Sequence, residues 1–333
     1  MSAILYRFDG SPFSTKVSHL LLLKNIPHKW VNVSRVMPRP EIGEMLGIGH
    51  RRSPILAIGR DVYCDTFLIS NVLERRFADT TTYPTIFPPK KNSNGATSIS
   101  DATIMKLFAK HWAEDMLFFS VIIMGLTQFE NLPAPFLRDR ETLIGRVDVE
   151  KAIAERPAAT SNLVAHLASL EDILVDGREW IFDTVGPSYA DVSVVMTCRR
   201  AHLTLGPDKT VFNAETFPRI TEWMARCDAH FEALEKGYTP EVITGDEAAA
   251  CADAAENAYE DIETLVGFDK ADGERLGVSV GDRVSATCPG SNPTEGVLVA
   301  LSREEVVLET KGTKGTFRCH FPRIDLTIRR VVS

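Results

Sequence analysis

A short apolar run, Ala3 to Phe8, breaks at Asp9-Gly10-Ser11-Pro12-Phe13 and resumes as a helical run through Ser14-Thr15-Lys16-Val17 and His19 to Lys24. This strand, turn and helix constrain the fold more than any other stretch. Gly10 permits the tight turn, and Pro12 suits a first helical turn because its missing N–H would be unpaired there. The turn aims Ser11 beyond the end of a strand, with the first amides of a helix behind it. Such a place favours an anion, a thiolate included. Ser11 can equally be an N-cap and nothing more. The turn alone does not separate the two readings.

The helix ends near Ile26-Pro27, and His28 to Val33 alternates as a strand, which completes a βαβ unit. Ser34 to Arg52 is loop-like, with a short helix around Glu41 to Leu46, and carries Arg35, Arg39, His50, Arg51 and Arg52. Ser53-Pro54 opens a short apolar strand to Ile58. Gly59-Arg60-Asp61 then turns it into Val62-Tyr63-Cys64, the pattern of a hairpin. A helix follows from Asp65-Thr66. The order is β-α-β, loop, β-β-α.

That order, with Ser11-Pro12-Phe13-Ser14, Ser53-Pro54 and Asp65-Thr66, resembles the thioredoxin-like N-terminal domain of the glutathione transferase superfamily. The resemblance is to its serine type and extends over roughly residues 3 to 235. It implies that Ser11 is the catalytic serine, donating a hydrogen bond to the glutathione thiolate, with Ser14 and Tyr6 as runners-up. It also implies a cis step at Ser53-Pro54, whose exposed backbone pairs with the cysteinyl part of the tripeptide. Asp65 takes the γ-glutamyl ammonium, while the Thr66 hydroxyl and the helix amides take its carboxylate. The glycyl carboxylate needs a cation, for which His50, Arg51 and Arg39 are candidates. Neither position 11 nor position 14 is cysteine, which argues against thiol-disulfide exchange through the protein.

Residues 80–98 hold Pro84, Pro88, Pro89 and Gly95 and are expected to link the domain of residues 1–79 to an all-helical domain at 99–238. Asp101 to Gln128 carries Leu107, Phe108, Trp112, Met116, Phe119 and Ile123 at helical spacing. In the resembling family the matching helix flanks the second-substrate cleft, so Phe108, Trp112 and Phe119, with Phe13, are candidates for an apolar electrophile pocket. Val147 to Asp176 reads as a further helix. Ser188 and Asp191 form a Ser-x-x-Asp cap before another, a structural role.

From Thr239 the resemblance to ordinary transferases ends. An Ala-rich acidic stretch, Asp246 to Leu265, is expected to form a connecting helix within 239–270. Five short strand-like runs then fill 271–333: Arg283 to Cys288, Gly296 to Leu301, Glu305 to Glu309, Gly315 to Phe321 and Ile324 to Val332. Their length and spacing suggest a small β-barrel-like domain of SH3-like type. Similar extensions occur on some fungal transferase-like proteins. His320-Phe321-Pro322-Arg323 is its most distinctive stretch, and a strand end with a turn explains it.

The net charge of −8, without a dense basic stripe, argues against a nucleic-acid partner. Six cysteines without metal spacing read as free thiols of a reducing compartment, and no metal is expected. Met116 to Leu126 is too short to span a bilayer, and no leader pattern opens the chain, so the expected location is the cytoplasm, off the membrane. The expected activity is addition of glutathione to a small apolar electrophile, or its transient use in isomerisation or elimination, by a homodimer. The alternative is a non-catalytic transferase scaffold that recruits a partner through the C-terminal domain.

Overall fold

The structure is a computed structural model that describes residues 3–92, 95–126, 133–145, 148–205, 211, 213–254 and 261–331. Strand β1 (Ala3–Arg7), helix α1 (Pro12–Leu23) and strand β2 (His28–Asn32) form the parallel unit, with Ala3 opposite His28 and Arg7 opposite Asn32. After α2 (Pro40–Gly43), β3 (Ile55–Ile58) runs antiparallel to β1 and turns into β4 (Asp61–Cys64), which leads to α3 (Thr66–Arg76). Alternation along β1 sends Ala3 and Leu5 into the core beneath α1 and α3, and Ile4 and Tyr6 into a second core on the opposite face.

The helical domain begins with α4 (Ile99–Leu107), which runs unbroken into a π-helical segment (Phe108–Leu117) and then α5 (Phe118–Leu126). The C-terminal end expected for this helix, Gln128, lies outside the described residues. Helices α6 (Ala134–Ile144), α7 (Val149–Ile173), α8 (Tyr189–Leu205) and α9 (Pro218–Gly237) complete the bundle. Buried Asp191 accepts from the Ser188 N–H and hydroxyl, the Ile181 N–H and Trp223 Nε1, all within 3.0 Å. Burial pushes its pKa up, while these four donors offset the cost of the charge.

The extension is built into the first domain. A short strand β5 (Glu241–Val242) pairs with β2, followed by α10 (Gly245–Asp253), α11 (Ile262–Leu265) and α12 (Lys270–Leu276). The helix expected over Asp246 to Leu265 is thus represented by α10 and α11, with 255–260 outside the described residues. Strands β6 (Arg283–Thr287), β7 (Thr294–Leu301), β8 (Glu305–Gly312), β9 (Gly315–Pro322) and β10 (Thr327–Arg330) lie in the order β10-β6-β7-β8-β9. The last strand therefore returns beside the first of the five. Sequence patterning did not reveal the next pairing: β9 runs parallel to β4, with Val62 opposite Cys319 and Tyr63 opposite His320. One ten-stranded sheet results, β10-β6-β7-β8-β9-β4-β3-β1-β2-β5. Its C-terminal strands share a core with Ile4, Tyr6, Val31 and Ile55.

Candidate active site

Ser11 is the N-cap of α1 and is 4% exposed, and its Oγ accepts from the Ser14 N–H at 3.2 Å. Gly10 holds φ +79°, the left-handed region, with no atom within 4 Å of where a Cβ would stand. It is therefore glycine for its backbone, not for space. Buried Ser14 brings its Oγ to 3.4 Å from Ser53 Oγ, and Ser53-Pro54 is cis. The turn and the start of β3 thus meet through two hydroxyls. Tyr6 faces away, into the core with α2 and α10; burial first, then the nearby Cys251 and Glu41, raise its pKa.

Asp65 is the N-cap of α3 with φ +82°, a strained conformation for a side chain with a Cβ. Its carboxylate accepts from the Phe67 N–H at 2.8 Å. The Thr66 hydroxyl accepts from Lys16 Nζ at 3.3 Å. Lys16 is a residue the sequence did not single out. It is fully buried, donates to the Tyr189 hydroxyl at 2.7 Å and forms an ion pair with Glu114. Burial lowers its pKa, and Glu114 opposes the shift. The contact ties α1 to the π-helical segment and to α8, so the helical domain reaches Thr66 through one ammonium. Lys110, on the same segment, pairs with Asp115 at 3.4 Å and lies within electrostatic reach of Asp65.

The candidate cations of the Ser34 to Arg52 loop occupy three different situations. Arg39 donates to the carbonyls of Ser34, Arg51 and Arg35 at 2.7, 2.5 and 3.3 Å, which occupies its fork. His50 is buried with Nδ1 3.5 Å from Ser291 Oγ, and burial pushes its pKa down to about 4, so it is neutral near pH 7. Arg51 pairs with Asp139 of α6 at 2.7 Å. Arg52, next to Ser53, is exposed.

The extension props this loop from behind. Thr294 Oγ1 accepts from the Gly49 N–H at 2.9 Å, Thr310 Oγ1 donates to the Leu46 carbonyl at 2.9 Å, and the Thr313 N–H donates to the Glu44 carbonyl at 2.8 Å. A Cβ on Gly49 would run into the Pro293 carbonyl.

Among the aromatic candidates the structure brings Phe13 to Phe118, edge to face at 5.0 Å. Phe108 and Trp112 stack on each other at 4.7 Å, against Phe182 and, for Trp112, His166 of α7. Phe119 is 61% exposed. The wider turn of a π-helix rotates later side chains away from the face that a regular helical period assigns them, so Phe118 was missed. Among the described residues, no group of three or more His, Cys, Asp or Glu converges as a metal site, and no helix is long and apolar enough to cross a membrane.

Strand order, cis step and strained helix cap together define a thioredoxin-like domain, followed by a helical domain. Residues 5–81 match the family model of the glutathione S-transferase N-terminal domain, and residues 127–236 match a domain of unknown function (DUF7962). A GST-like protein from Pseudomonas syringae is similar at 25% identity over 99% of both chains, with a TM-score of 0.65. Residues 5–81 thus form a glutathione S-transferase N-terminal domain, and the chain has the fold of the glutathione transferase superfamily. A Tau class glutathione S-transferase from mango (Mangifera indica) has 16% identity and a TM-score of 0.52, covering 75% of this chain and 98% of its own. A beta-etherase from Sphingobium sp. strain SYK-6 has 18% and 0.51, covering 72% and 100%. These two share the fold only over the part that ordinary transferases have, whereas the Pseudomonas match includes the extension, which is thereby not peculiar to fungi. No curated protein matches this sequence.

Proposed function

We propose that the protein binds glutathione between the α1 turn, Ser53 and the start of α3, and adds its thiolate to an apolar electrophile resting on Phe13 and Phe118. Transient use of the thiolate in isomerisation or elimination fits the same site. The observation that carries this reading is the meeting of three chain segments: Ser14, whose N–H is capped by Ser11, lies against Ser53, and Lys16 of the same helix reaches the Thr66 hydroxyl. Asp65 pairs with the γ-glutamyl ammonium; Thr66 and the first α3 amides take the carboxylate. The Ser53 backbone pairs with the cysteinyl residue. Arg52 is the cation left for the glycyl carboxylate, because His50 is neutral and Arg39 is committed to carbonyls.

Ser11 Oγ receives the Ser14 N–H, which leaves its own proton to donate. A hydrogen bond to the charged form lowers the thiol pKa and raises the fraction of nucleophile at neutral pH. The protein acts in the reducing cytoplasm, where its six free cysteines stay unpaired, as a homodimer. Self-association uses helices, because β9 already occupies the edge of β4. A partner recruited by the extension, the alternative role, would meet its outer strand β10.

Calorimetry with millimolar glutathione is expected to show binding, and Ser11→Ala to keep it while thiolate absorbance is lost and turnover drops about a hundredfold. Absence of binding sinks the reading. Unchanged turnover moves the role to Ser14.

A further inference from the structure

Around Phe8, three residues before Ser11, the molecule concentrates positive charge. The Arg39 and Arg140 guanidiniums stand 5.3 and 6.0 Å from the centre of the Phe8 ring. Arg140 and Arg35 lie 4.6 and 5.5 Å from that of Phe136 on α6. Arg200 of α8 lies within electrostatic reach of Arg35 and Arg140, and Arg51 within that of Arg140. Asp139 is the carboxylate in ion-pair contact with this group among the described residues, at 2.7 Å from Arg51 and 3.8 Å from Arg140.

Of these five guanidiniums, Arg51 and Arg140 reach Asp139, and Arg39 has Asp139 and Glu41 within electrostatic range. Arginine does not shed its proton to relieve such crowding, and half-buried like charges repel more strongly than solvated ones. Burial lowers the pKa of Arg140 and Arg200, and the neighbouring arginines add to it. Arg39 and Arg51 are committed to carbonyls and to Asp139. Arg35 and Arg200 form no ion pair or side-chain hydrogen bond among the described residues. Exposed Arg35 and half-buried Arg200 are thus two cations without an ion pair among the described residues, available to an added anion.

We infer that this cluster is the subsite for a carboxylate on the electrophile, so that the substrate is an apolar or aromatic electrophile bearing a carboxylate. The inference rests on the glutathione reading above. The apolar body of such a molecule rests on Phe13 and Phe118, and its anionic end reaches Arg35 and Arg200 beside the Phe8 and Phe136 rings.

Calorimetry with two glutathione conjugates tests it on the full-length protein: S-benzylglutathione, and S-(4-carboxybenzyl)glutathione, which differs by the carboxylate. The carboxylated conjugate is expected to bind roughly tenfold tighter. The double variant Arg35→Gln/Arg200→Gln is expected to lose that preference while its affinity for glutathione and for the neutral conjugate stays within about twofold. Equal binding of the two conjugates by the natural protein overturns the carboxylate subsite and leaves the glutathione site standing. An equal loss for all three ligands in the variant overturns it too, assigning the arginines to glutathione itself. If neither glutathione nor any conjugate binds, the glutathione reading falls and the subsite falls with it.

Discussion

Two buried charge networks hold the thioredoxin-like domain to its neighbours, and they differ in what they touch. Toward the helical domain, Lys16 joins Glu114, Tyr189 and the Thr66 hydroxyl. Toward the extension, His320 lies between Glu305 at 2.8 Å and Asp61 at 3.3 Å, with Arg75 on Glu305 and Arg76 on Asp61. The first network ends on the Thr66 hydroxyl, to which the proposed function gives the γ-glutamyl carboxylate; the second ends on two further arginines. The same device, a buried cation between carboxylates and hydroxyls, therefore couples one joint to the site and leaves the other structural.

The sharpest way to break this comparison is to remove one charged partner from each side. Asp61→Asn leaves Arg76, whose side chain is 6% exposed, without its counter-ion. Because arginine cannot be neutralised, a loss of about 3–5 kcal/mol in urea denaturation is expected, with glutathione affinity of the folded fraction unchanged. Lys16→Met is expected to cost less, about 2–3 kcal/mol, because the stranded Glu114 can take up a proton. This variant is expected to weaken glutathione binding as well, since Thr66 loses its donor. Equal effects of the two variants on binding would end the distinction.

A smaller effect is set by pH. Burial alone would lower the His320 pKa, but hydrogen bonds and charge from Asp61 and Glu305 raise it. Its contribution is fully present below the unfolded value near 6.5 and is lost as pH rises through the folded value. Glu305 is held below its ordinary range by His320 and Arg75 despite burial, so its contribution is present above 4.5 and lost as pH falls through its folded value. The extension joint is therefore strongest between about pH 4.5 and 6.5. Stability is expected to decline by the order of 1 kcal/mol on the alkaline side. Urea midpoints measured across this range test the sign, and His320→Gln is expected to flatten the alkaline fall. Comparable in size, Gly10→Ala meets no atom and should cost only the left-handed backbone, about 1–2 kcal/mol by the same assay.

The sequence made the strand, turn and helix around Ser11, the cis step and the Asp65 cap legible, because each signal is local: a glycine, a proline, a capping carboxylate. The five C-terminal strands were legible for the same reason. The β4–β9 pairing was not, since it joins Val62 to Cys319 and no local pattern names a distant partner. The π-helical turn has no residue signature, which redirected the aromatic assignments to Phe118. A lysine in an early helix reads as solvated, so the buried ammonium of Lys16 stayed hidden among ordinary surface charges.

Both borders of the thioredoxin-like sheet are closed by residues far down the chain: β5 covers β2 and β9 covers β4. During synthesis, the first domain must therefore wait with two open hydrogen-bonding edges until the last strands emerge. Those edges are templates for mispairing with other nascent chains. A chain cut after Tyr238 would carry that exposure permanently. The addition to the transferase fold thus shields both edges of the domain that precedes it.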